Sequence, residues 1–193
     1  MSSKIGVQNI AHTNGTNAMT ISSGGATTFT TDPFNSVIET WNYDTTGRAH
    51  TNDMVLKYGF DRITSNNTAN KNGGMTHSTS AGTEGAGIWT FPSTGIWRIE
   101  LILKYYHSNG ASTGTGVKMK VTTNNNTYNV VDSGYSNGYS TNVNTMIVLP
   151  YILNVNDVSN VKFKHSMVGA MTVRGGGDEW STKIHFIKLC PSV

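Results

Sequence analysis

The residue pattern at 96–107 constrains the fold more than any other feature of the sequence. Large apolar residues recur there at every second position: Trp97, Ile99, Leu101, Leu103 and Tyr105. Side chains of a β-strand point alternately to the two faces of its sheet, so this row predicts one long strand with a core-facing side. Ile102 and Tyr106 interrupt the polar residues of the other side. That side is therefore expected to be partly covered as well.

The residue types of the whole chain exclude a helical bundle. Thr, Asn, Ser and Gly are abundant, whereas Leu, Ala, Glu and Gln, the better helix formers, are scarce. Aromatic residues make up 9% of the chain, which is more than a disordered segment usually carries. The composition therefore favours an all-β protein with long polar connections.

Short apolar segments separated by turn residues indicate further strands. We expect them at 54–60, 88–91, 117–121, 128–131, 144–153, 161–165 and 183–189. Turn signals recur about every 8 to 15 residues, a spacing typical of an antiparallel sandwich or jelly roll. In the segment 161–165, Lys162 and Lys164 alternate with apolar residues, as on the exposed face of a strand.

The first 35 residues form a section of their own in the sequence. Its apolar positions are few and lie in short, strand-like runs: Ile5, Val7, Ile10, Met19 and Ile21. Asn14–Gly15 is a strong turn signal between them. Such strands cannot close a core alone, so the segment must pack on its own domain, on sister subunits or on a larger assembly. We expect residues 1–35 to be an anchor and residues 36–193 to form the main domain.

Residues 33–41 carry the one helix signal that we find. Asp32 and Pro33 suit the start of a helix, and the apolar residues Phe34, Val37, Ile38 and Trp41 have helical spacing. This pattern predicts a short helix. The alternative is an irregular connection that leads into a first strand near Trp41.

Residues capable of catalysis or metal binding are scattered along the chain. The six histidines show no metal-site spacing, and Cys190 is the single cysteine, without a base nearby in the sequence. Asp178 and Glu179 follow the glycines at 175–177, which suits a polar loop. The sequence therefore predicts neither enzymatic activity nor a cofactor or metal.

The charge pattern and the hydropathy pattern exclude two further classes of partner. The formal net charge is +3, and no stretch of the sequence concentrates the basic residues, so no nucleic acid is expected. No run approaches about 18 apolar residues and no signal peptide is visible at the start. We expect synthesis in a cytoplasm and no membrane insertion.

Three aromatic residues lie in segments rich in Gly and Ser: Tyr135, Tyr139 and Trp180. Aromatic residues on loops often form contact surfaces for sugars or proteins. Alternatively, these three fill the axis of an oligomer or cap the sandwich. The sequence leaves both interpretations open.

Four segments resemble the complement globular-head and tumour-necrosis-factor-like family, in the family's order. Residues 87–99 match its strand, Pro-x-x-Gly turn and long aromatic strand, and residues 58–63 match its Phe-Asp strand. Residues 153–158 stand where the family has Leu-x-x-Gly-Asp-x-Val, with Asn156 in place of the Gly, and residues 181–189 match its closing strand. The resemblance implies a jelly-roll sandwich that assembles as a homotrimer around an aromatic-lined axis.

Residues 10–25 resemble a short Asn-Gly-Thr-x-Ala-Met-x-Ile segment found near the start of many phage virion proteins. In those proteins the segment leads into a trimeric tail-fibre or capsid-surface knob. The resemblance implies a virion location and other capsid or tail proteins as partners.

Together these patterns predict a structural virion component, a homotrimeric knob that is anchored by its N-terminus to a phage capsid or tail. The alternative is a carbohydrate- or receptor-binding module that acts in host adhesion, with a host surface glycan or protein as its ligand. A third possibility is a signalling ligand of the tumour-necrosis-factor type.

Overall fold

The computed structural model describes residues 9–11, 17–22, 24, 27–29, 37–43, 48–50, 60–62, 74–78, 87–107, 114–137, 144–175 and 182–192. These residues form two compact units, 1–35 and 36–193, and each is described here by itself. The described part of the chain is all-β. Among these residues no helix has the length and apolar character needed to cross a lipid bilayer.

The first unit contains one antiparallel sheet of three short strands. These are β1 (Asn9–Ala11), β2 (Asn17–Ile21) and β3 (Thr27–Phe29), with β2 in the middle. Strand β2 pairs with β1 on one side and with β3 on the other.

The larger sheet of the second unit is built around β9 (Gly95–His107), the long strand that the alternation at 96–107 predicts. One side of β9 pairs along most of its length with β12 (Asn144–Val155). The other side pairs first with β15 (Lys183–Cys190) and then with β14 (Met171–Val173). Beyond these lie β4 (Ile38–Tyr43), β5 (Arg48–His50) and β6 (Phe60–Arg62). Strand β12 is thus at one edge of this sheet.

The smaller sheet has five antiparallel strands. Its order is β11 (Asn129–Ser136), β10 (Thr115–Thr122), β13 (Lys162–Val168), β8 (Trp89–Thr90) and β7 (Thr76–His77). Strand β11 lies at the edge. A β-bulge interrupts its pairing with β10 between Met119 and Lys120.

The two sheets pack face to face and enclose one hydrophobic core. The five alternating residues of β9, from Trp97 to Tyr105, are all fully buried in it. From the smaller sheet, Trp89 and Phe163 pack toward Phe186 of β15, with ring centroids 5.0 and 6.1 Å from it. The aromatic side chains therefore join the two sheets, because each ring offers a large apolar area.

The predicted short helix at 33–41 is wrong where the structure describes it. Ile38–Trp41 belong to strand β4, which pairs with β15 on one side and with β6 on the other. Helical spacing is a local signal, and pairing with strands far away in the sequence overrides it here. Residues 33–36 lie outside the described residues. The alternative interpretation, a first strand near Trp41, is confirmed.

Candidate functional site

The face of the larger sheet that points away from the core is unusually apolar at its β12 edge. We call this surface the outer face. On β12 the residues that alternate with the buried Ile147 and Leu149 are Met146, Val148 and Ile152, and they are 60, 45 and 63% exposed. Contiguous exposed apolar surface on a soluble protein is typical of an interaction site. The signal was available in the sequence, because 144–153 is apolar at both its odd and its even positions.

Pro150 determines how another molecule can contact this edge. It lies in the middle of β12, opposite Glu100 of β9. Proline has no N–H and is therefore restricted to edge strands, where its nitrogen faces away from the ladder. The free edge of β12 lacks a donor at its centre, so a further strand cannot pair along its whole length. At Pro150 itself, contact with another molecule is therefore made by side chains.

On β9, the exposed apolar side chains of β12 have one apolar neighbour and one charged neighbour. Val148 lies opposite Ile102 of β9, and Ile152 lies opposite Arg98. Arg98 also lies opposite Ile187 of β15, and Ile187 lies opposite Ile38 of β4. Ile102, Ile187 and Ile38 are half-buried. The outer face thus combines apolar side chains with a few charged ones.

A polar row crosses the centre of the outer face. His185 of β15 lies opposite Glu100 of β9 and Thr40 of β4, and its Nδ1 is 2.9 Å from Thr40 Oγ1. Arg98 and Glu100 form an ion pair. Burial lowers the pKa of His185 from its ordinary value of 6.5; Glu100 raises it, and Lys183 and Arg98 lower it further. The imidazole is therefore held toward its neutral form.

At one end of the outer face, an arginine side chain lies over an aromatic ring. The guanidinium of Arg174 lies 4.8 Å from the ring centroid of Tyr106, and its Nε donates to Asn144 Oδ1 at 3.2 Å. These contacts join β14, β9 and the start of β12. Tyr106 and Ile102 are the two residues from which the sequence predicts that this face is partly covered.

The edges of the two sheets meet at Gly134 of β11. A Cβ at this position would lie 2.5 Å from Ile147 Cγ2 and 3.1 Å from Leu149 Cδ2, both on β12. Only a residue without a side chain permits this approach. Strands β11 and β12 therefore form one continuous border of the sandwich, on which Val130 and Tyr135 are also half exposed.

Of the three aromatic residues expected on loops, the structure describes one. Tyr135 lies on strand β11 and not in a loop, because β11 stays paired with β10 through Ser136. Its side chain is 52% exposed. Tyr139 and Trp180 lie outside the described residues.

Of the five predicted anchor residues, three lie on strands of the first unit. Ile10 is on β1, and Met19 and Ile21 are on β2; Ile10 pairs with Met19, and Ile21 is half-buried. Ile5 and Val7 lie outside the described residues. The role of these residues as an anchor stays a prediction.

The residues considered for chemistry are placed apart from one another. His165 is buried on β13, with its ring 6.1 Å from that of Phe163, and Cys190 is exposed at the end of β15. In the described part of the chain no three His, Cys, Asp or Glu side chains are grouped as metal ligands would be. The outer face carries three of the exposed large apolar side chains, Met146, Val148 and Ile152.

Comparison with known proteins places the fold and leaves the sequence family open. No protein-family model matches the chain, and no curated protein matches it. Among solved structures, the Eiger TNF of S. frugiperda matches with a TM-score of 0.61 and 12% identity, over 84% of this chain and 96% of that one. Murine APRIL at pH 5.0 matches with a TM-score of 0.55 and 7% identity, over 80% of this chain and 100% of that one. The PRD1 vertex protein P5 matches with a TM-score of 0.41 and 16% identity, over 82% of this chain and 99% of that one.

These likenesses concern the fold, which the described strands independently support. Two packed antiparallel sheets, with the long β9 at the centre of the larger one, fit the first two structures over most of their length. The second unit of this chain is an all-β antiparallel jelly-roll sandwich of the tumour-necrosis-factor type.

Proposed function

We propose that the chain is a structural virion protein, a homotrimeric jelly-roll knob that residues 1–35 attach to a phage capsid or tail. The observation that carries the assembly is the outer face with its exposed β12 edge. The function of the protein would be particle stabilisation or attachment to a host surface, without catalysis.

The chemistry of the outer face favours another copy of the same chain as its partner. The exposed edge residues Met146, Val148 and Ile152 are apolar, and the half-buried isoleucines nearby offer an apolar surface to receive them. When an edge of one chain packs on the face of the next, the contact is heterologous, and copies related by a three-fold rotation close into a ring. Because Pro150 prevents continuous strand pairing, such packing occurs through side chains.

The first unit supports the attachment. It is a compact unit with its own three-stranded sheet, and its sequence has few apolar positions, which we expect to pack on a partner surface. The resemblance of residues 10–25 to the start of phage virion proteins suggests that this surface is on a particle. The proposed division of roles is therefore anchor in 1–35 and knob in 36–193.

The trimer is tested by light scattering of the full chain at micromolar concentration. The expected mass is three times the chain mass of 20.8 kDa. Ile152→Asp should give a monomer, since each trimer would lose about 1.5 to 3 kcal/mol per buried isoleucine and would have to desolvate three carboxylates. The matched control is Thr90→Asp on the smaller sheet, which should remain trimeric. A monomeric parent chain would refute the assembly.

The virion location is tested separately from the trimer. Purified phage particles produced in cells that express the tagged chain should contain it, and particles should lose it when residues 1–31 are deleted. A chain that forms trimers and is absent from particles would exclude the location and retain the assembly.

The second candidate function is a carbohydrate- or receptor-binding module in host adhesion. The observation that favours it is the exposure of Tyr135 on β11, away from the core. A trimer that displays such a surface three times would gain avidity for a host surface.

A further inference from the structure

The part of the outer face that we expect to receive the β12 edge is ordered in rows across its strands. Residues directly opposite each other share a row, and successive rows on one face of a sheet are two residues, or about 6.7 Å, apart. Ile102 of β9 lies in one row, and Ile187 of β15 lies two rows away. We call these two the isoleucine rows. Between them lies the polar row, in which His185 is opposite Glu100.

The exposed edge of β12 repeats this order of apolar, polar and apolar groups. Val148, Pro150 and Ile152 lie on its outer side at two-residue intervals, so their spacing equals the spacing of the rows. When the edge of one copy lies along the face of the next, Val148 and Ile152 meet the isoleucine rows and Pro150 meets the polar row. The match holds for either direction of the incoming strand, because Pro150 is the middle residue. Lys183 and Arg98 share the isoleucine rows, and their long side chains carry the charge to the margin of the contact.

Pro150 presents a hydrogen-bond acceptor without a donor beside it. Its nitrogen faces away from β9, and the N–H and C=O positions of one strand residue point to the same side of the strand. The Pro150 carbonyl oxygen therefore faces the free edge of β12. A carbonyl group that is buried in a contact without a donor destabilises that contact. A surface that covers this edge must therefore supply a donor at Pro150.

His185 is the donor that the polar row offers. Its ring is half-buried, and among the described residues it is hydrogen-bonded through Nδ1, which is 2.9 Å from Thr40 Oγ1. When the Thr40 hydroxyl donates to Nδ1, the neutral imidazole carries its proton on Nε2. Glu100 in the same row forms an ion pair with Arg98, and a carboxylate accepts hydrogen bonds without donating them. The ring is thus held on one side and has Nε2 to donate on the other.

We propose that His185 Nε2 donates a hydrogen bond to the Pro150 carbonyl oxygen of the next copy in the trimer, and that this contact sets the register of assembly. The inference rests on the proposed function and identifies how a chain recognises its own copies. A copy shifted by one row would place Pro150 on an isoleucine row and leave its carbonyl without this donor. The shifted assembly is thereby penalised, which apolar packing alone would not achieve, because Val148 and Ile152 fit either isoleucine row.

Two substitutions of His185 test the donor. His185→Gln keeps an amide N–H near the position of Nε2, whereas His185→Met has no donor. In sedimentation of a dilution series, we expect His185→Gln to assemble within about twofold of the parent chain, and His185→Met to be weakened by about fivefold or more for each contact. Equal assembly of His185→Met and the parent, or equal weakening of both variants, would overturn the hydrogen bond.

Cysteine pairs between copies test the register while His185 is kept. In a Cys190→Ser background, Ile187→Cys should form a disulfide with either Val148→Cys or Ile152→Cys of the next copy, one pair for each direction of the incoming strand. Oxidation should then give a covalent trimer on a denaturing gel without reductant. The control is Ile187→Cys with Pro150→Cys, which a shift of one row would bring together. In the proposed register its Cα atoms are more than about 7 Å apart, so no disulfide should form.

The outcomes separate the register from the trimer. A chain that is trimeric by light scattering and cross-links through the control pair, or through neither test pair, would overturn the register and leave the proposed function standing. A monomeric parent chain would overturn both. A trimer that cross-links through one test pair and is weakened by His185→Met supports the contact.

Discussion

Glu39 illustrates how single side chains connect the two sheets of the second unit. Its carboxylate is fully buried on β4 of the larger sheet and accepts hydrogen bonds from Trp41 Nε1 at 2.8 Å and from the Met75 backbone N–H at 3.1 Å. Met75 immediately precedes β7 of the smaller sheet. A buried carboxylate is costly unless it is hydrogen-bonded, so its cost is offset by two fixed donors.

At the same scale, Tyr128 predicts a stabilising substitution. Its hydroxyl oxygen is buried without a hydrogen-bond partner among the described residues, and burial raises the pKa of this phenol. Tyr128→Phe removes the unpaired group and keeps the ring beneath Lys164, so the free energy of unfolding should rise by about 1 kcal/mol. Urea denaturation measures it, with the exposed Tyr135→Phe as a control that should change little. A loss of stability in Tyr128→Phe would show that the hydroxyl is satisfied.

His185 predicts a pH dependence of the assembly. Its pKa in the folded chain is below 6.5, chiefly because of burial, and further burial in the trimer would lower it more, with Glu100 acting in the opposite direction and Lys183 and Arg98 in the same one. The trimer then binds fewer protons than its separate chains. Assembly should be unaffected above 6.5 and should weaken once the pH falls below the lowered pKa of the separate folded chain, by at most about tenfold per histidine for each pH unit.

Sedimentation across this pH range measures the effect, with His185→Gln as the comparison. The variant should assemble with little change between neutral and mildly acidic pH. If the parent and the variant dissociate in parallel, another group is responsible, and His185 is not the sensor.

At the scale of elements, the border between β11 and β12 depends on close approach. Gly134→Ala places a methyl group against Ile147 and Leu149, which are held in the core by their own strand. We expect a loss of about 1 to 3 kcal/mol in the free energy of unfolding. Ser133→Ala, at the neighbouring exposed position, is the control. Unchanged stability of Gly134→Ala would mean that the border relaxes easily.

This sequence predicts the features that depend on the alternation of residue types within one strand, namely which side of the strand is buried and which is exposed. The row from Trp97 to Tyr105 predicts β9 and its buried side, and the alternation of Lys162 and Lys164 predicts an exposed strand face. The same reasoning fails at Ile38–Trp41, because helical spacing says nothing about pairing with β15. The pairing of Lys120 with Lys164 cannot be predicted from the sequence either: the two residues are far apart along the chain, and only the register of β10 and β13 brings them together.

At the scale of the whole molecule, the two units predict separable functions. Deleting residues 1–31 removes β1–β3 and leaves the hydrophobic core of the second unit intact. The shortened chain should therefore unfold cooperatively and keep the trimeric mass of the proposed knob. Calorimetry and light scattering measure both properties. An unfolded product would show that the first unit is part of the fold and not an accessory to it.

Pro150 has a further consequence for a protein displayed in many copies. A long apolar edge strand is a template on which other chains can add strands and polymerise into fibres. Proline at the centre of β12 interrupts that template, while the side chains around it remain available for a closed contact. The edge that the proposed ring uses is thus protected against open-ended polymerisation, which would otherwise become more severe as copies crowd together.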